Sequence, residues 1–301
     1  MNKVPVLMIV FNRPETTQRV FEAVRAYQPK HLYVSADGPR SDHPTDVAQI
    51  QEVRKIFEKI DWPCELFTHF LPENRGCRYA PPEGISWFFE NEEQGVILED
   101  DCLPSQDFFR FAEKLLDKYH DNEKIMHIGG ANFQNGRKKT ERSYYFSNSP
   151  HIWGWATWRR AWKYYDVDMK TFPDYVKSGK IKKRLPGRPY QQWRYLQQMR
   201  ATYNHSPYFR TWDWQWTFTL FDREGIAIIP EYNMISNIGF SGTHTVDTSL
   251  CEHPFDPLPE SLKEPPFEID READDLSFKL WYRGSWKDRI HYMIDSLKKR
   301  I

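Results

Sequence analysis

The chain has 301 residues, enough to bury a large core as one big α/β domain or two modest ones. Its 42 Lys+Arg offset 42 Asp+Glu, and a formal net charge of zero excludes a global field that would draw nucleic acid. Cys64, Cys77, Cys102 and Cys251 show neither paired metal spacing nor a CxxC, so free thiols in a reducing compartment are expected, with a disulfide between distant cysteines left open.

The elements follow in a regular order. Val4–Val10 reads as a buried strand, and Pro14-Glu15-Thr16 opens a helix with Val20, Phe21 and Val24 on one face. His31–Ala36 is a second strand ending in the turn signal Asp37-Gly38-Pro39. Val47, Ile50, Val53, Ile56, Phe57 and Ile60 mark an amphipathic helix. Cys64–Phe70 is a third strand, Pro82–Asn91 a helix, Gly95–Leu98 a fourth strand and Ile125–Ile128 a fifth, with a helix carrying Phe108, Phe111, Leu115 and Leu116 between the last two. Short apolar strands alternating with helices imply βαβ units and a mostly parallel sheet. Ligands of such sheets bind beyond the carboxyl ends of the strands, where Asn12, Asp37, Asn74 and Glu99-Asp100-Asp101 fall.

The second half loses this alternation. Tyr144–Ser149 and Ile226–Ile229 read as strands, Tyr190–Tyr203 and Asp213–Asp222 as helices, and the basic stretch from Lys177 to Arg188 as a mobile loop. Residues 252–276, rich in Pro, Asp and Glu, read as an extended wrap. The last helix has Trp286, Ile290, Met293, Ile294, Leu297 and Ile301 on one side among basic residues. That stripe is expected to pack on the domain, with an anionic membrane as its alternative partner. The opening apolar run from Val4 to Phe11 is shorter than a signal peptide or a span requires, so a soluble, cytoplasmic protein is expected.

Chemistry concentrates where Val96-Ile97-Leu98 ends in Glu99, Asp100 and Asp101. An acidic helix start is ordinary and worth ~0.3–1 kcal/mol per residue. Here, however, the helix is expected to begin near Ser105, four residues on, and adjacent carboxylates repel. Mg²⁺ or Mn²⁺ prefers such oxygens and keeps positions for phosphates. Asp213 lies at an expected helix start among Trp212, Trp214 and Trp216, which makes it a partly desolvated carboxylate beside flat faces for a sugar ring. The alternative readings are a helix-start acid and core aromatics. The same choice hangs over Trp153, Gly154 and Trp155, where a glycine between tryptophans allows close backbone approach.

The strand ending VFNRP, then VSADGPR, PENRGCR, the Glu-Asp-Asp tip, HIWGWATWRRAW, TWDWQWTF and SNIGFSGTHT, taken in that order, resemble GT-A-fold glycosyltransferases, the nucleotide-diphospho-sugar transferase superfamily. The Glu-Asp-Asp variant is similar to that of the N-acetylglucosaminyltransferase I family, and the motif order to bacterial surface-polysaccharide sugar transferases. The likeness covers residues 4–245 and implies a catalytic domain with a nucleotide-sugar half (1–130) and an acceptor half (131–245), followed by a C-terminal extension (246–301). It implies Asp101 and His244 as metal ligands for Mn²⁺ or Mg²⁺. Phe11, Asn12, Arg13, Asp37, Glu99 and Asp100 would line the nucleotide pocket, with Arg40, Arg75 and Arg78 toward phosphates. Asp213 would be the base of an inverting transfer, and Trp153, Gly154, Trp155, Trp212 and Trp214 would contact sugar or acceptor. The implied partners are a nucleotide-sugar, UDP by default, and a saccharide or lipid-linked acceptor. The alternatives are a nucleotidyltransferase on a similar sheet, marked down because FNRPETT stands where a Gly-rich loop with Lys belongs, and a non-catalytic carbohydrate-binding protein.

Overall fold

A continuous apolar run is what a strand buried on both faces requires, and β1 (Val6–Val10) meets it in the computed structural model, which describes residues 3–134, 141–207, 210–239 and 255–298. Val6, Met8 and Val10 enter one core cluster and Leu7 the opposite one, as the twofold alternation of a strand dictates. Pro14 opens α1 (Pro14–Tyr27), whose missing N–H is an orphan there anyway. The order continues through β2 (His31–Ala36), α2 (Asp46–Ile56), β3 (Glu65–Phe70), α3 (Ala80–Asn91) and β4 (Gln94–Glu99). After it come β5 (Cys102–Pro104), α4 (Gln106–Lys118) and β6 (Ile125–Gly129).

The later half is less regular. It runs through β7 (Tyr144–Ser147), β8 (Trp155–Trp158), α5 (Arg159–Trp162), α6 (Phe172–Ser178), α7 (Lys180–Arg184), α8 (Pro189–Tyr203) and α9 (Asp213–Asp222). β9 (Ile226–Pro230), β10 (Ile235–Asn237), α10 (Arg271–Ser277) and α11 (Trp286–Lys298) complete it. The basic stretch expected to be a loop instead forms α7. Gly179, at φ 65°, ends α6 in the left-handed region and starts the next helix without a break.

The central sheet has eight strands in the order β3-β2-β1-β4-β8-β6-β9-β7. β1 to β4 are mutually parallel, β8 runs against both β4 and β6, and β7 runs against β9. The protein is therefore α/β, with a mostly parallel central sheet flanked by helices. Helices α1, α2 and α4 cover one face, where Phe21, Phe57, Phe108 and Phe111 fill the core. Helices α3 and α5 cover the other, over Phe88, Phe89, Trp155 and Trp216. A third cluster, around Met169, Tyr175, Tyr195 and Phe221, is formed among α6 to α9.

The first strand connections run outward from β1 to β2 and β3, and β4 then returns to the other side of β1. That reversal opens a crevice between the tips of β1 and β4. β5 and β10 pair antiparallel just beyond it. The segment from residue 255 onward runs along α4, where Leu258 N–H donates to Asp107 and Lys114 to Glu260 O. Among the described residues no helix is long and apolar enough to cross a membrane, and Cys64, Cys77 and Cys102 are free thiols.

Candidate functional site

The three carboxylates stand at the tip of β4 beside the residues that follow β1. Arg13 reaches across the crevice, with Nη1 2.8 Å from Asp101 Oδ2 and 3.5 Å from Asp100 Oδ1. Phe11 N–H donates to Asp100 Oδ2 at 3.3 Å. From the far wall, Trp212 Nε1 donates to Glu99 Oε1 at 3.3 Å. The residue after Trp212 is Asp213, the first residue of α9, close enough for its charge to act on Glu99. The structure thus brings Arg13, Glu99, Asp100, Asp101, Trp212 and Asp213 to one cleft.

One guanidinium does not balance this cluster. Burial pushes the Glu99 carboxyl well above the ordinary range, and the charges of Asp101, Asp100 and Asp213 push it further. Burial does the same to Asp100, followed by the charge of Asp101, while Arg13 and the Phe11 N–H pull the other way. Burial works against the Arg13 charge, but Asp100 and Asp101 outweigh it and hold the pKa up.

The donor set suits a hard divalent cation: carboxylate oxygens, an excess of negative charge, and a glycine where the backbone crosses them. A Cβ on Gly239 would lie 2.3 Å from Asp101 Oδ2, and Ile238 N–H donates to the Asp101 carbonyl at 2.8 Å. Among the described residues no three His, Cys, Asp or Glu side chains are arranged as a ready cage. Mg²⁺ sites commonly take one or two carboxylates and draw the remaining oxygens from water and phosphate. His244, expected as a further ligand, lies outside the described residues.

Several expected contacts carry a different load. Asp37 accepts from Gly38 N and Arg75 N on one oxygen, and from Asn74 Nδ2 and Gly76 N on the other, all within 2.9 Å. Those bonds use the lone pairs of the carboxylate, so Asp37 shapes the loop after β3 and is not a free acceptor for a base or ribose. Asn12 Nδ2 donates to Asp46 Oδ1 at 2.8 Å. Arg40 grips the same fully buried carboxylate through Nε at 2.7 Å and Nη2 at 2.8 Å, and lies 5.3 Å over the Phe11 ring. Asp46 had no signal in the sequence beyond that of an acid in the first turn of a helix.

Arg78 is buried and donates to Thr202 O at 3.0 Å and Val167 O at 2.9 Å. It ties the loop after β3 to the last turn of α8, where the Thr202 carbonyl also accepts from His205 N–H, so it does not face phosphate as expected. Arg75 keeps an exposed side chain, 3.7 Å from Glu83 Oε2. Cys77, between them, lies within electrostatic reach of Glu99, Asp213, Arg13 and Asp101.

The tryptophans divide by burial. Trp155 and Trp212 are each 1 % exposed, and their rings stack at 5.8 Å. Trp155 also stacks on His127, whose Nδ1 accepts from Trp216 Nε1 at 3.2 Å. Sugar stacking on Trp155 is therefore ruled out by core packing, and Trp212 reaches the cleft only through its indole N–H. Trp214, two residues along α9, turns to the third cluster beside Tyr195 and Tyr282. Trp153 is partly buried against Phe133 and Trp281. Gly154 has φ 56°, and a Cβ there would meet Ile235 Cδ1 at 2.4 Å, so its close approach is to β10 beside the tip of β4.

No family description and no curated protein matches the sequence. Among solved structures, mouse xyloside xylosyltransferase 1 is similar at 13 % identity and a TM-score of 0.32, over 73 % of this chain and 82 % of its own. A 4-diphosphocytidyl-2C-methyl-D-erythritol synthase from Anaerococcus prevotii is similar at 11 % identity and a TM-score of 0.34, over 58 % and 76 %. HddC from Yersinia pseudotuberculosis follows at 10 % identity and 0.32, over 52 % and 77 %. At these scores the likeness adds nothing to the topology already described.

Proposed function

We propose that the protein is a metal-dependent, inverting glycosyltransferase that moves a sugar from a nucleotide-diphospho-sugar, UDP-linked by default, to a hydroxyl of a saccharide or lipid-linked acceptor. The observation that carries this reading is the meeting of two acidic groups from opposite walls: Glu99-Asp100-Asp101 at the β4 tip and Asp213 at the start of α9, joined through Trp212. Donor and acceptor chemistry need that arrangement, with a charge-neutralising site for the leaving diphosphate on one wall and a proton acceptor on the other.

Asp101, with Asp100 or Glu99 behind it, would hold Mn²⁺ or Mg²⁺, which when bound supplies neutralisation of the leaving diphosphate. Arg13 balances Asp101 in the free protein and can transfer its guanidinium to a diphosphate oxygen once that carboxylate is otherwise engaged. Asp213 takes the proton of the acceptor hydroxyl as its oxygen attacks the anomeric carbon from the face opposite the leaving group. Trp212 keeps Glu99 oriented and its carboxyl out of bulk water.

The reading is tested by calorimetric titration with UDP, GDP and CMP, with and without Mn²⁺, on the native protein and on Asp101→Ala. Manganese-dependent binding of one nucleotide, lost on substitution by on the order of 100-fold, is expected. Absence of binding in every combination overturns it.

A further inference from the structure

Helix α11 was expected to pack its apolar stripe on the domain, but it leaves four large apolar residues in solvent because its opposite face meets α8. Trp286 is 68 % exposed, Met293 54 %, Ile294 43 % and Ile290 40 %. At about 100° per residue these four positions fall within one ~100° sector of the helix. The opposite sector makes the contacts that hold the helix. Asp288 pairs with Arg194 Nη1 at 3.3 Å, Asp295 accepts from Trp193 Nε1 at 3.0 Å, and Tyr292 packs edge-on against Tyr190 and Trp193 at 5.2 and 5.7 Å. The start of the helix is fixed as well. Gly284, at φ 71°, turns the chain, and Ser285 N–H and Oγ donate to Asp288 Oδ2 at 2.6 and 2.8 Å.

The charges are sorted by face. Both acids of the helix, Asp288 and Asp295, point to α8, while Lys287 and Arg289 are exposed and flank the apolar sector on either side. A helix with an apolar stripe bordered by cations and its acids withdrawn fits a water–lipid interface carrying negative charge. A second copy of the chain fits it poorly. A twofold contact with the two helices parallel would set the Lys287 and Arg289 flanks of both copies against each other.

We propose that α11 is an interfacial docking helix, lying on an anionic lipid surface with Trp286, Ile290, Met293 and Ile294 entering the acyl boundary. α8, on which α11 sits, packs in turn against α9, the helix that Asp213 begins. The docking itself does not depend on the reaction proposed above, since vesicle binding is read without nucleotide.

The experiment is co-sedimentation of the full chain with phosphatidylcholine vesicles, with and without phosphatidylglycerol. Binding to the anionic vesicles is expected, weakening as salt screens the contact. Lys287→Gln and Arg289→Gln should each lower it about fivefold, and Trp286→Ser combined with Met293→Ser should remove it. All four side chains are exposed, so an unchanged melting temperature shows that each variant is folded. The proposal fails if neither vesicle binds the native chain, or if binding ignores these substitutions. It also fails if light scattering shows a dimer that Met293→Ser dissolves, which would assign the stripe to a second copy.

Discussion

The two walls of the cleft differ in how side chains reach it. On the β1–β4 wall each strand stops at the crevice and the next residues extend into it, so Arg13 and Asp101 meet 2.8 Å apart from neighbouring strands of one parallel sheet. On the opposite wall nothing arrives straight from a strand. Trp212 and Asp213 are set by a helix start that leans on Trp155 and Trp162, behind which stand α8 and the aromatic clusters. Charge is displayed on the first wall and propped by buried rings on the second. Identical residue types therefore do unlike work: arginines face carboxylates at one tip and cap carbonyls at another, and most tryptophans that resemble ligand platforms are supports.

If the second wall is support plus one working carboxylate, its two kinds of residue should fail differently. Asp213→Asn is isosteric and should lower turnover by on the order of 10³, within the usual span for a proton-transfer group, while nucleotide affinity and melting temperature hold. Near-native turnover would move the base elsewhere. Trp155→Ala should cost about 3–5 kcal/mol of stability as a large core truncation, whereas the partly buried Trp153→Ala should cost clearly less. Equal losses in denaturant titration would erase the distinction between core and rim.

The smallest effect sharpens the first wall. Burial and Asp101 raise the Asp100 carboxyl to about 7, above the unfolded value near 4. The folded state therefore holds this proton more tightly, and its stabilisation is complete below pH ~4 and lost as pH rises through ~7. In chelator-treated protein, Asp100→Asn should raise the melting temperature at pH 8 by about 2 °C or more, for a gain of roughly 1 kcal/mol. That gain should shrink toward zero at pH 4. A variant less stable at pH 8 would mean that Arg13 already neutralises the site.

The first wall was legible because its signals are periodic and local. Apolar runs, helix stripes and turn residues placed β1 to β4 within a residue or two, and the carboxylate tip followed from them. β8 escaped because Trp155-Ala156-Thr157-Trp158 lacks the aliphatic run that marks β1 and β4, and tryptophans around a glycine read equally well as ligand contacts. β5 and β10 escaped because three-residue strands have no period at all. What Asp37, Arg78 and Trp155 touch is decided by chain segments far away in sequence, and residue type alone was silent there. The apolar stripe of α11 was visible in sequence, but that it faces outward depends on which partner α8 offers.

Arg78 ties together stretches that lie far apart in sequence. Its buried guanidinium links the loop that carries Arg75 and Gly76 to the carbonyls of Val167 and Thr202. Replacing it by an apolar side chain would withdraw a donor from both carbonyls at once, so the cost would fall on the join between this loop and α8 and leave the carboxylates of β4 their own partners.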